Sequence, residues 1–325
     1  MQIHQFTSFD PASSHSAKPL SCLDKLCSEY GQCANNNSQC GFWFRYIDGS
    51  QSSGYYLEDI LQSSSANTSI IFGCSTSVKG PIFEGGRAIN GIFGFGQGHS
   101  SVLSQLISQK VMPNVFSHCL RGDEGGIVVL GEIMHPNMVY SPLIPTEAYY
   151  KLDLHSISVN DQIIAINQSA FKISDTRGTI IDSGTTLVYL VPEVYDPFII
   201  AITNAISQHA TLMIFDGDRH CYKLPNSGAQ MFPRVAFNFE GGASMILMPN
   251  NYLVMNQFID GQLMCIGIRK SIYSELTILG DLVLKDKIVV YDLSHQRLGW
   301  TDYDCSMEVN VSQTYGKELA GLSEC

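Results

Sequence analysis

The stretch "GTIIDSGTTLVYL", residues 178–190, carries one acid, Asp182, into a Ser-Gly-Thr turn between two hydrophobic segments. Ser, Gly and Thr after an acid are turn formers, because short hydroxyls and an absent side chain let the backbone fold back tightly. An acid presented this way suits chemistry that needs a second carboxylate facing it. No other Asp-Thr-Gly or Asp-Ser-Gly occurs in the 325 residues.

Outward from that turn, short runs rich in Val, Ile, Tyr and Phe dominate the chain. They include "SIIFGC" (69–74), "GGIVVLGE" (125–132), "KLDLHSISV" (151–159), "RVAFNF" (234–239) and "KIVVYDL" (287–293). Most are bounded by Gly, Pro, Asn or Asp, the signature of strands. Two segments read as helices. "SVLSQLISQ" (101–109) has apolar residues at 102, 103, 106 and 107, a helical spacing. "VPEVYDPFIIAITNAISQ" (191–208) has Pro192 early, and Pro197 must sit in its first turns or kink it. The expected class is therefore mainly β with a few short helices.

Hydrophobic residues make up 45% of the chain, enough for a sizeable core. Nineteen Lys plus Arg stand against 30 Asp plus Glu, a net charge of −11, with no basic run. That balance argues against nucleic acid as a partner, since phosphate binding needs clustered cations. The ten cysteines lack Cys-x-x-Cys spacing and no His-x-x-x-His accompanies them, so disulfides in an oxidising compartment are expected rather than zinc. Asn-x-Ser/Thr sequons at Asn36, Asn67, Asn167 and Asn310, candidate N-glycosylation sites, fit the same compartment. The opening "MQIHQFTSFDPASSHSAKP" has no apolar core of a signal peptide, and no run approaches a membrane span. Secretory cysteines without a signal lead to the expectation that the beginning is missing.

An internal echo points the same way. "NGIFGFG" (90–96) and "LTILGDL" (276–282) each set two bulky apolar residues before a Gly. Asp182 precedes Ile278 by 96 residues, and the same interval counted back from Ile92 falls just before Met1. If the chain is two similar lobes, the partner of Asp182 lies off its front.

Taken in order, "YIDGSQSSGYYLEDIL" (46–61), "FGCSTS" (72–77), "GIFGFGQGHSSVLSQL" (91–106), "FSHCL" (116–120), "IIDSGTTLVYL" (180–190), "ILGDLVLKDKIVVYDLSHQRLGW" (278–300) and "YDCS" (303–306) resemble a plant pepsin-like (family A1) aspartic protease of the cysteine-rich, nepenthesin-like group. The resemblance runs from residue 9 to about 315. It implies a bilobal fold with the first lobe incomplete: 1–145 as the amino-terminal lobe, 146–305 as the carboxy-terminal lobe and 306–325 as a tail. It implies an aspartic endopeptidase in which two Asp turns meet and share one proton. Asp182 would be the second-lobe catalytic acid, with Gly184 closing the turn, Thr185 bonding the carboxylate, and Ser183 where the family cross-links its two turns. Tyr46, Asp48 and Gly49 would belong to a substrate-covering hairpin, and Asp-Gly is itself a hairpin turn signal.

The "DTRG" at 175–178 is not a second catalytic turn, because Arg177 intervenes. His118, beside Cys119, reads as a packed or hydrogen-bonded side chain rather than a ligand. Expected disulfides are Cys22–Cys27, Cys221–Cys265 and, by resemblance only, Cys119–Cys305 joining the lobes. The resemblance implies no cofactor and no metal, polypeptide substrates as partners, a monomer, and the secretory pathway as location. Relatives can carry a membrane anchor that this sequence does not encode. With one catalytic turn in 325 residues, the alternative is an inactive relative that binds polypeptides or acts as an inhibitor.

Overall fold

The computed structural model describes residues 9–33, 38–46, 49–62, 67–81, 91–122, 125–146, 149–224, 228–255, 263–271, 275–312 and 317–318. Asp48 and Asn36 lie outside the described residues. The chain forms two compact units, Met1–Pro113 with Lys317–Cys325, and Asn114–Gly316. The sequence boundary is expected near 145. The break in contacts falls at Pro113/Asn114, because the strands Val115–Leu120, Gly126–Leu130 and Val139–Ile144 pair within the second unit's sheet.

The first unit is built on a long hairpin, Gln51–Gln62 against Asn67–Lys79, flanked by Gly41–Arg45 and Lys18–Pro19. Beneath it Leu20, Cys27, Cys40, Phe42, Tyr56 and Ile71 form a buried cluster. The helix Lys25–Tyr30 starts at Asp24, whose side chain accepts from the Leu26 N–H at 3.0 Å, and this capping fixes where the helix begins. The helix Val102–Ser108 is capped in the same way by Ser101 on the Ser104 N–H at 3.1 Å. Its buried face carries Leu103 and Leu106, as the spacing predicts, and also Gln105. The Gln105 amide spans a backbone position of the hairpin, accepting from the Ile71 N–H at 2.7 Å and donating to the Ile71 carbonyl at 2.9 Å.

In the second unit one long sheet runs, neighbour to neighbour, through Ile268–Lys270, Val188–Leu190, Leu276–Gly280, Gly178–Asp182, Tyr150–Leu152, Val139–Ile144, Arg297–Asp302, Lys287–Asp292, Val115–Leu120 and Gly126–Leu130. Two smaller sheets, around Val235–Phe239 and around Arg219–Lys223, complete the unit. The helix Pro192–Ile206 has Pro192 in its first turn and Pro197 inside. It buries Val194, Tyr195, Phe198, Ile199, Ile202 and Ile206. No helix among the described residues is long and apolar enough to cross a membrane.

Four disulfides are formed among the described residues. Cys221 bonds Cys265, its direct cross-strand partner. Cys119 bonds Cys305, but both belong to the second unit, so this bridge does not join the two units as expected. The expected Cys22–Cys27 pair is replaced by Cys22–Cys33 and Cys27–Cys40. Nearness does not decide between them, because the sulfurs of Cys22, Cys27 and Cys33 lie within 4.8 Å of one another. The short helix turns Cys27 into the buried cluster, where Cys40 is fully enclosed. Cys22 and Cys33 remain at the half-exposed and exposed rim.

Candidate active site

Asp182 ends the strand Gly178–Asp182, whose Thr179, Ile180 and Ile181 are buried. That strand pairs in parallel with Leu276–Gly280, placing Ile180 opposite Ile278 and Asp182 opposite Gly280. The chain then turns, with the Thr185 N–H donating to the Asp182 carbonyl at 3.1 Å. Each carboxylate oxygen receives one donor. The Gly184 N–H reaches Oδ1 at 3.0 Å, and the Thr185 hydroxyl reaches Oδ2 at 2.6 Å. Hydrogen bonds to an ionised acceptor are the stronger kind and fix its orientation. Ser183 and Gly184 are exposed, so the turn is open to solvent. A Cβ on Gly184 would come 3.1 Å from Asp182 Oδ1, tight enough to push on the carboxylate.

The Gly of "ILG" has a steric reason. A Cβ on Gly280 would lie 2.2 Å from the Leu187 carbonyl oxygen and 2.3 Å from that of Thr185. The two segments cross here at backbone contact, sealed by Asp281 N–H to Thr185 O at 2.6 Å and Leu282 N–H to Thr186 O at 3.0 Å. The acid turn and the apolar-apolar-Gly motif are thus two halves of one support. The first-unit echo differs. Residues 91–95 form no strand, and Ile92 and Phe93 are 52% and 41% exposed, against 6% and 0% for Ile278 and Leu279.

Beside the acid strand lies an aromatic layer that the sequence reading does not identify. Tyr291 stacks on Phe116 with centroids 4.3 Å apart and meets Tyr150 edge-on at 4.6 Å. Burial, then the neighbouring Tyr150 and the Asp182 charge, push the Tyr291 phenol well above its ordinary range, so it stays neutral. His118 Nε2 is 3.3 Å from the Tyr291 hydroxyl, and its Nδ1 has no partner among the described residues. Burial lowers the His118 pKa to about 4. His118 is packed inside the sheet. The signal for this layer is its alternation along "VFSHC" and "VVYD", which marks strands but does not say that two strands juxtapose their rings.

Tyr46 and Gly49 belong to the first unit, in the loop joining Gly41–Arg45 to Gln51–Gln62. The Tyr46 N–H donates to Ser50 O at 2.8 Å and the Gly49 N–H to Tyr46 O at 3.0 Å, with Gly49 at φ 86°. Gly49 thus stands in the left-handed region that a side chain disfavours, at the point where the chain turns back into Gln51–Gln62. The decoy Asp175 is exposed, and its carbonyl accepts from Lys151 Nζ at 3.3 Å. Of the sequons, Asn67, Asn167 and Asn310 are exposed.

A mainly β chain of two compact units, with a threonine-anchored Asp-Ser-Gly turn on a parallel strand pair, has the architecture of the pepsin-like acid proteases. Comparison with known proteins agrees. Family models for the xylanase inhibitor N-terminal and C-terminal domains match residues 3–132 and 149–302. Aspartic proteinase 39 of Arabidopsis thaliana is 31% identical over 325 residues, covering 95% of this chain and 67% of that protein. Aspartic proteinase 36 of the same plant is 30% identical, covering 95% and 66%. Aspartic proteinase nepenthesin-2 of Nepenthes gracilis is 28% identical, covering 91% and 68%. The chain thus spans about two-thirds of these relatives. The crystal structure of edgp matches the fold with a TM-score of 0.65 at 18% identity, covering 90% of this chain and 84% of that one. The chain belongs to the plant pepsin-like (family A1) aspartic proteinases.

Proposed function

We propose that the protein is an aspartic-type endopeptidase of the secretory pathway, and that Asp182 is one of its two catalytic acids. The observation that carries this reading is the Asp182 carboxylate itself, held by one donor per oxygen on a strand locked by Gly280. An acid held so can share one proton with a second carboxylate about 3 Å away, since both cannot ionise together. The pair then titrates as a unit in acid. One member takes a proton from the attacking water while the other polarises the peptide carbonyl. Thr185 and Gly184 keep the Asp182 oxygens fixed during that exchange, and Ser183 sits where a hydroxyl contact to the opposing turn would form. Tyr46 and the hairpin around Gly49 would cover a polypeptide substrate. Four disulfides and three exposed sequons support the oxidising compartment.

A second reading, a polypeptide-binding or inhibitor-like protein, is favoured by one observation: residues 1–325 contain a single Asp-Ser/Thr-Gly. The family models that match, described as xylanase inhibitor domains, fit that reading too. Hydrolysis of internally quenched peptides between about pH 3 and 5 separates the two. The 325-residue chain alone should turn over nothing. A chain that also carries a second Asp-Ser/Thr-Gly turn should cleave, with pepstatin blocking it and Asp182→Asn abolishing it. Pepstatin-sensitive turnover by residues 1–325 would sink the requirement for a second acid turn.

A further inference from the structure

Away from the Asp182 turn, the second unit gathers an imidazole and two carboxylates. His155 Nε2 lies 3.4 Å from Asp153 Oδ2 and 3.1 Å from Glu240 Oε2. One donor atom from each of the three falls within 4.8 Å of the other two. The backbone fixes their carriers. Leu154, between Asp153 and His155, is buried at 2% exposure and anchors both neighbours. The register of Val235–Phe239 against Leu154–Val159 shifts between Asn238 and Phe239, which puts Phe239 opposite Leu154. Glu240 follows directly, and its N–H donates to the Asp153 carbonyl at 2.9 Å. On the other side the Ser141 hydroxyl donates to the Glu240 carbonyl at 3.0 Å. An open pocket of about 270 Å³ borders the cluster, lined by Asp153 and His155 with Gln168, Phe171, Lys172 and Ile173.

We propose that Asp153, His155 and Glu240 form a binding site for a divalent transition metal, with Zn²⁺ the ion that fits best. Tetrahedral Zn²⁺ with bonds of about 2.0–2.1 Å separates neighbouring ligand atoms by roughly 3.4 Å. The two separations at His155, 3.4 and 3.1 Å, are already near that value. Calcium and magnesium take shells of oxygen, whereas an imidazole with carboxylates suits Zn²⁺. Two carboxylates outnumber the one ammonium among the residues named here, that of Lys172, and leave a local field that attracts a cation. Three protein ligands leave the fourth position for water or a small anion on the pocket side, where Lys172 would favour the anion. The ligands are accessible, with side chains of Asp153, His155 and Glu240 exposed by 31%, 48% and 53%. The site is therefore one that loads and unloads, unlike a closed structural zinc site.

The test is isothermal titration of ZnCl₂ into the folded, disulfide-bonded protein at neutral pH, with MgCl₂ as control. One equivalent of Zn²⁺ should bind, and Mg²⁺ should not compete. His155→Ala and Glu240→Gln, both at exposed positions, should each weaken binding by at least about tenfold without changing the circular dichroism spectrum. Asp182→Asn should leave the titration unchanged. A folded protein that takes up no Zn²⁺ at about 1 mM would overturn the proposal. So would wild-type binding by both variants, because the metal would then be held elsewhere.

Discussion

At the scale of single residues, Thr185 makes the contact on which the catalytic reading depends most. Its hydroxyl is the donor to Asp182 Oδ2, and valine would keep the shape while removing the bond. A hydrogen bond to a charged acceptor contributes about 1.5–3 kcal/mol. Thr185→Val in the active protein should therefore lower kcat by roughly 10- to 100-fold with little change in KM, as steady-state kinetics at acid pH would show. His118 bears on stability instead. Its folded pKa, about 4, lies below its ordinary value of 6.5, so the folded state resists the proton that the unfolded chain accepts. The stability it permits is fully present above pH 6.5 and falls as pH drops toward 4, by about 1.4 kcal/mol per pH unit. His118→Phe should flatten that limb of the stability profile, measured by urea unfolding between pH 7 and 4. An unchanged slope would remove His118 as its cause.

At the scale of elements, hydrophobic alternation made most strands legible, and the spacing of Leu103 and Leu106 marked the first-unit helix. Polar side chains used as backbone substitutes were not legible. Gln105 carries no apolar signal in "SVLSQLIS", yet it is 7% exposed and satisfies both backbone groups of Ile71. Gln105→Leu would leave those two groups without their side-chain partner, at about 1–3 kcal/mol. The check is a lower urea midpoint with an unchanged m-value. The Cys22 and Cys27 pairing was hidden for a related reason. Spacing brought three sulfurs together, and only the direction in which a helix of six residues faces the core selects the bonds. The turn at Asp182 was the most readable part of the site. Its support by Gly280 was readable only as a motif, since a 2.2 Å contact with a carbonyl oxygen leaves no trace in composition.

At the scale of the whole molecule, the Cys119–Cys305 bridge closes a loop of 186 residues within the second unit, between a sheet strand and the segment after Arg297–Asp302. Constraining so long a loop in the unfolded chain is worth up to about 5 kcal/mol in the chain-entropy account. Replacing both cysteines by serine should lower the Tm of the second unit by several degrees, and an unaltered Tm would show that this constraint carries no weight. A pairing between distant cysteines came into view only through family resemblance, because nothing local links residue 119 to residue 305. The compact units likewise divide where strands pair, at Pro113/Asn114, a place that composition does not mark. At this scale the proposed function rests on Asp182 acting as a catalytic acid. It is tested by peptide hydrolysis at about pH 4 in a chain that carries both acid turns, wild type against Asp182→Asn, with and without pepstatin. The expected result is pepstatin-sensitive cleavage by the wild type and a loss of at least about a thousandfold in kcat for the folded variant. Cleavage undiminished in Asp182→Asn, or a folded wild type that binds peptides without cutting them, would contradict it.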